Sequence, residues 1–205
     1  MKGVLLISEA FQNVVYIRRP VSVQPRLLLI VGHICGGKTS VSRFLEQSMG
    51  YTYVPCSRVL LNLMDISNYN ESQRKVIQDA GYDFVHKRNG QQEYAKALVE
   101  FIQDIPHHKT GFVLDGLRYQ ETAYRVGEML GEIPYIVYIE NTFLSLYFRY
   151  QQRIETKISF RDFMSINSHP VEDVARRYID NADFIIQNID SLEQLFERVK
   201  RVING

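Results

Sequence analysis

The run Leu27-Leu28-Leu29-Ile30-Val31-Gly32-His33-Ile34-Cys35-Gly36-Gly37-Lys38-Thr39-Ser40-Val41-Ser42-Arg43-Phe44-Leu45 carries three patterns in succession. Leu27 to Val31 is continuously apolar, as in a parallel strand buried on both faces. Gly32 to Thr39 reads G-x-x-x-x-G-K-[ST]. From Ser40 the period changes, and Val41, Phe44 and Leu45 mark one face of an amphipathic helix. Strand, glycine loop and helix in that order let the loop's N–H groups and the helix's positive end converge on phosphate oxygens. Gly32, His33, Ile34, Cys35, Gly36, Gly37, Lys38, Thr39 and Ser40 are therefore read as a nucleoside triphosphate site. Lys38 would reach the β- and γ-phosphates, and the Thr39 hydroxyl would ligate Mg²⁺. The alternative is a glycine-rich turn with a coincidental Lys-Thr, and the flanking strand and helix weigh against it.

Beyond the loop, short apolar runs recur at Tyr51–Val54, Phe112–Leu114, Tyr135–Ile139 and Phe184–Ile186. Helical stretches separate them. In the last of these Leu192, Leu195, Phe196, Val199 and Ile203 form one stripe. Strands separated by helices imply right-handed crossovers and a parallel sheet covered on both faces, an α/β fold. The stretch between the second and third strands is helical in character. Asn70 with Gln73 resembles a capping pair, and Gly90 is read as a stop before a helix from Gln92 to Ile105. Residues 1–25 are read as an N-terminal extension, in which Val4–Ile7 and Val14–Ile17 fit either a hairpin or a flexible arm.

The 205 residues suffice for one domain with a full core. A formal charge of +1 gives no electrostatic case for nucleic-acid binding. Within that balance arginine outnumbers lysine 16 to 8, and arginine is favoured where phosphates are gripped bidentately. The two cysteines, Cys35 and Cys56, are too few for a zinc site or a disulfide scaffold, and a disulfide at Cys35 would hamper nucleotide entry. A reducing, cytoplasmic setting is expected. No apolar run approaches the ~20 residues that span a bilayer, so no membrane partner is expected.

Two further constellations carry chemistry. In Gly111-Phe112-Val113-Leu114-Asp115-Gly116-Leu117-Arg118 an apolar strand delivers Asp115 to its carboxyl end, the edge where ligands sit in open α/β sheets. An acid there can hold Mg²⁺ through water or accept a proton from an attacking hydroxyl. Gly116 permits a sharp turn, and Arg118 would enter the same cleft. The competing reading makes Asp115 a helix cap and leaves Arg118 solvated. After the fourth strand, Arg149 and Arg153 share a helix face, with Lys157 and Arg161 following in a polar segment that reaches Pro170. Arginines closing over a transferred phosphoryl group stabilise its charge and exclude water. The bland counterpart is an exposed basic helix paired with Glu155 and Asp162. Arg58, Arg74 and Arg88 lie in the helical stretch, where cations would clamp a phosphorylated acceptor. Arg58 is preferred because it follows a strand and Ser57, with Arg88 behind it. Tyr51, Tyr53 and Tyr82 are read as core before base-stacking.

In the order of these motifs, residues 26–205 resemble the P-loop nucleoside monophosphate kinase superfamily. The Asp115-Gly116-x-Arg118 turn looks like the D-G-x-R turn of dephospho-CoA kinase-like and phage-type deoxynucleoside monophosphate kinases. Arg74-Lys75-Val76-Ile77-Gln78-Asp79-Ala80-Gly81-Tyr82 is similar to their acceptor-side helix, and Asn181 to Asn188 with Ser191 to Leu195 to their last strand and helix. The resemblance implies a three-layer fold with a five-stranded parallel sheet in the order 2-3-1-4-5. It also implies a helical acceptor-binding insertion at about 56–106 and a lid at about 149–170. Asn188 would then lie near the adenine of ATP. The adenylate kinase signatures T-G-D-x-x-R and D-G-F-P-R are absent.

The function these features imply is an ATP- and Mg²⁺-dependent kinase acting on a nucleotide or nucleotide-like small molecule. Lys38, Asp115, Arg149 and Arg153 would be its catalytic residues, Arg58, Arg88 and Arg118 would hold the acceptor, and Thr39 and Asp115 the metal. A nucleotide-binding switch or slow NTPase acting through a protein partner is the alternative, favoured by the extension and the altered acceptor motif.

Overall fold

The computed structural model describes residues 14–19, 21, 23–67, 73–106, 110–154 and 157–204. Val4–Ile7, Asn70 and Glu155 lie outside the described residues. The chain opens with strands β1 (Val14–Ile17) and β2 (Leu27–Gly32), helix α1 (Lys38–Met49) and strand β3 (Tyr51–Pro55). Three helices follow, α2 (Cys56–Leu63), α3 (Arg74–His86) and α4 (Gly90–Gln103), then β4 (Gly111–Asp115), α5 (Gln120–Leu130) and β5 (Tyr135–Glu140). The last part holds α6 (Phe143–Arg153), α7 (Phe160–Asn167), α8 (Pro170–Arg176), a 3-10 turn at Arg177–Asp180, β6 (Phe184–Gln187) and α9 (Leu192–Asn204).

The strands form one sheet in the order β1-β6-β5-β2-β4-β3. From β2 to β6 all pairings are parallel, so the five parallel strands run 2-3-1-4-5 when counted along the chain. β2 lies at the centre, and Leu27 to Ile30 are fully buried. Its side chains alternate as the pleat dictates. Leu27, Leu29 and Val31 pack with Leu98 of α4 and Ala123 and Val126 of α5, while Leu28 and Ile30 meet Val41 and Leu45 of α1 and Leu195 and Val199 of α9. A third cluster joins Ile34, Leu146 and Tyr150 of α6, and Phe163 of α7.

One local expectation, the strand at Val14–Ile17, holds, and two need correction. Val14–Ile17 is a strand, and its described partner is β6, against which it runs antiparallel with Val14 opposite Ile186 and Ile17 opposite Phe184. Gly90 opens α4, and the left-handed turn falls on Asn89 (φ 67°). Glycine is needed at 90 because a Cβ there would stand 2.0 Å from the Phe84 carbonyl oxygen, so close do α3 and α4 pass. In the α9 stripe Leu195, Val199 and Ile203 are buried, but Leu192 is exposed and borders the cleft described next.

Candidate nucleotide and acceptor cleft

Parallel pairing brings the carboxyl ends of the strands to one edge: Ile30 lies opposite Asp115, Gly32 opposite Ile139, and Glu140 opposite Gln187. A cavity of about 650 Å³ opens there. It extends from the loop after β2, past Asp115 and Arg118, to Ile77, Gln78 and Gly81 of α3.

The loop takes its shape from close approaches. A Cβ on Gly32 (φ 143°) would lie 2.5 Å from the Ile139 carbonyl oxygen. Ile34, bulky for such a loop, is buried in the α6–α7 cluster and anchors the loop to those helices. Cys35 adopts the left-handed region (φ 57°), and burial pushes its thiol pKa up despite the cations Arg153 and Arg74 nearby. Gly37 (φ 96°) caps α1 without any side-chain acceptor, so the first N–H groups of a 12-residue helix look to an external anion.

Lys38 donates from Nζ to the His33 carbonyl oxygen at 2.6 Å, and the Gly36 N–H donates to the same oxygen at 3.1 Å. Desolvation lowers the Lys38 ammonium to about 8, Arg118 adds to the effect, and Glu172 and Asp115 oppose it. An arriving polyanion would reverse that shift. The His33 ring is buried and meets Phe143 edge-on at 5.5 Å, and burial followed by the Arg176 charge brings its pKa down to about 4.

Asp115 accepts at Oδ2 from the Thr39 hydroxyl (2.7 Å) and the Tyr53 hydroxyl (3.1 Å). Thr39 and Asp115 thus form an all-oxygen pair at the loop. That donor set suits magnesium, which takes one or two protein oxygens and completes its shell with water and phosphate. Among the described residues no cluster of three or more His, Cys, Asp or Glu offers a metal site of another kind. Gly116 (φ 72°) turns the chain so closely over Lys38 that a Cβ would stand 3.4 Å from Cε.

Arg118 lines the cavity and forms an ion pair with Glu172, whose side chain is fully buried. Glu172 also accepts from Gln78 Nε2 at 2.9 Å. Burial alone would raise its pKa, but Arg118, Lys38 and Arg74 outweigh burial and hold the carboxyl below its ordinary value. Arg149 donates to Asn141 Oδ1 (2.7 Å), the Asn188 carbonyl oxygen (3.2 Å) and Asn188 Oδ1 (3.3 Å). Both asparagines donate from Nδ2 to the Gly36 carbonyl oxygen, at 3.1 and 3.0 Å.

Of the residues singled out in the sequence, the loop from Ile34 to Ser40, Asp115, Arg118, Arg149, Arg153 and Asn188 all line one cavity. Gly32 and His33 lie behind it, shaping the loop from β2. Arg58 and Arg88 are exposed and are not among the lining residues; Ser57 and Arg74 are. The sequence reading overlooked Asn141 and Glu172, placed Gln78 on the acceptor-side helix without singling it out, and took Tyr53 for core. Asn141 had a usable signal, because it directly follows a strand that ends at the ligand edge. Glu172 had none: its partners Arg118 and Gln78 are 54 and 94 residues away.

No family model matches the sequence, and no curated protein matches it. Solved structures do share the fold. A gluconokinase from Sinorhizobium meliloti 1021 aligns with a TM-score of 0.53 at 10% identity, covering 91% of this chain and 94% of that one. A dephospho-CoA kinase from Campylobacter jejuni gives 0.52 at 14% identity over 88% and 96%. A shikimate kinase from Bacteroides thetaiotaomicron gives 0.54 at 8% identity over 86% and 96%. The architecture is that of the P-loop kinases.

Proposed function

We propose that the protein is an ATP-dependent phosphotransferase acting on a small molecule, with residues 26–205 as its kinase-like domain. One observation carries the reading: the loop that would hold the donor and the pocket that would hold an acceptor are the two ends of a single 650 Å³ cavity, with Asp115 and Lys38 between them. A binding switch has no need of the second end.

In this reading the loop amides and Lys38 hold the β- and γ-phosphates. Thr39 and Asp115 would hold a magnesium ion, which would supply positive charge against the phosphates. The acceptor enters between α2 and α3, where Leu60, Leu61, Met64 and Ile77 offer an apolar wall and Arg74, Gln78 and Arg118 polar groups. Residues 56–106 are then the acceptor side. The acceptor oxygen attacks the γ-phosphorus as the bond to the bridging oxygen of ADP breaks. A phosphate acceptor is already ionised, whereas a hydroxyl acceptor passes its proton to Asp115. Residues 149–170 act as the lid, and Arg153, beside Cys35 on the cavity wall, faces the charge of the transferred group. Arg58 and Arg88, exposed away from the cavity, are given no role, and Arg74 takes their place.

The test is ADP release from Mg·ATP against nucleoside monophosphates, their deoxy forms, nucleosides, dephospho-CoA, gluconate and shikimate. Stimulation by one acceptor, reduced at least a hundredfold in Lys38→Ala, is the expected outcome. ATP binding with no acceptor-dependent turnover across the panel would overturn the kinase reading and favour the nucleotide switch.

A further inference from the structure

Arg149 lines the cavity, and its hydrogen bonds run to groups packed against the phosphate loop. It bridges Asn141 and Asn188, and each of those asparagines donates to the same Gly36 carbonyl oxygen. We propose that Asn141, Asn188 and Arg149 are positioning residues that preset the phosphate loop, holding the Gly36 carbonyl outward so that the Gly37 N–H is presented to the nucleotide. The inference rests on the nucleotide-binding reading of the loop.

The peptide plane supplies the lever. No described peptide bond is cis. In a trans unit the carbonyl of Gly36 and the N–H of Gly37 therefore point to opposite sides of one rigid plane. Two amide donors on the carbonyl fix that plane before any ligand arrives. Without them the Gly36–Gly37 segment, with no side chain to restrain it, would rotate among several orientations. Fixing it in advance removes an ordering cost from binding.

The glycines themselves record the clamp. A Cβ at Gly37 would stand 2.6 Å from Asn188 Nδ2, and one at Gly36 would stand 3.0 Å from Asn141 Nδ2. The space that side chains at 36 and 37 would occupy is taken by the two amides. Arg149 then fixes the rotamer of each asparagine: its guanidinium needs acceptors, so each Oδ1 faces Arg149 and each Nδ2 faces Gly36. Asn188 is buried and both ends of its amide are engaged, which ties its side chain to the loop.

The experiment measures Mg·ADP affinity by calorimetry, together with the Gly37 amide signal in ¹H–¹⁵N spectra, for the full chain and for Asn141→Asp, Asn188→Asp and Arg149→Gln. Each aspartate keeps the shape and the Arg149 contact while replacing a donor to Gly36 by an acceptor. Lys38→Ala is the control. Expected is about a tenfold loss of affinity in each clamp variant, with the Gly37 signal already displaced before ADP is added. Wild-type binding that is lost in Lys38→Ala yet unchanged in the clamp variants would overturn the clamp and leave the nucleotide reading standing. Failure of the wild type to bind Mg·ADP would overturn both. Should an aspartate variant not fold, Arg149→Gln decides: unchanged affinity and an unmoved Gly37 signal there sink the proposal.

Discussion

His33 sits in the loop as a neutral, buried imidazole, and that makes it sensitive to acid. Its pKa falls from 6.5 to about 4, chiefly through burial and then through Arg176. Protons therefore favour the unfolded chain between those values. The contribution is fully present above pH 6.5 and is lost as the pH falls toward 4, amounting to at most about 3.5 kcal/mol at about 1.4 kcal/mol per unit. Replacing His33 by Asn should flatten the acid limb of a urea-denaturation series over that window by a comparable amount. An unaltered limb in His33→Asn would show that the titration lies elsewhere. At this scale the sequence was legible for residues whose role is local. The loop glycines, Lys38 and Thr39 follow from spacing alone. Tyr53 was not legible, because its hydroxyl partner Asp115 is brought in by the pairing of β3 with β4, 62 residues apart.

Among the elements, α8 shows what pattern reading misses. It has only seven residues, yet its Glu172 ties Arg118 after β4 to Gln78 of α3, and His169 at its N-cap meets Asp79 of α3 at 2.9 Å. A buried carboxylate with two donors becomes costly when its partner is lost, and so does a guanidinium left behind. Glu172→Ala should destabilise the protein by about 3 kcal/mol in chemical denaturation, and Asp173→Ala, its exposed neighbour, by less than about 0.5 kcal/mol. Equal effects would deny Glu172 its tie. Helices α2 and α3 carry the same lesson for the proposed acceptor side. Periodicity locates an amphipathic helix but not the direction its polar face takes in the assembly. Arg58 thus falls on the exposed side of a helix that buries Cys56, Val59 and Leu61, while Arg74 borders the cavity.

Over the whole molecule the strand–helix alternation sufficed to anticipate the parallel sheet, and the order 2-3-1-4-5 followed from the resemblance in motif order. The same architecture is found in solved kinases at 8 to 14% identity. The first strand is where the whole-molecule account went beyond the motifs. β1 is joined to β6 by antiparallel pairing and to the turn before β6 by the Arg18 N–H to the Asp183 carbonyl oxygen (2.9 Å), and Arg19 donates to Asp183 Oδ2 at 3.1 Å. A parallel sheet of this kind ends in a row of unpaired amides and carbonyls, and such rows recruit strands from other molecules. By lying along β6, β1 pairs that row and leaves as the sheet's edge a strand of only four residues, the kind of short edge that resists intermolecular templating. A chain shortened to begin at Val21 should keep the loop after β2 yet form concentration-dependent assemblies in sedimentation velocity, and a shortened chain that stays monodisperse would assign β1 no such part.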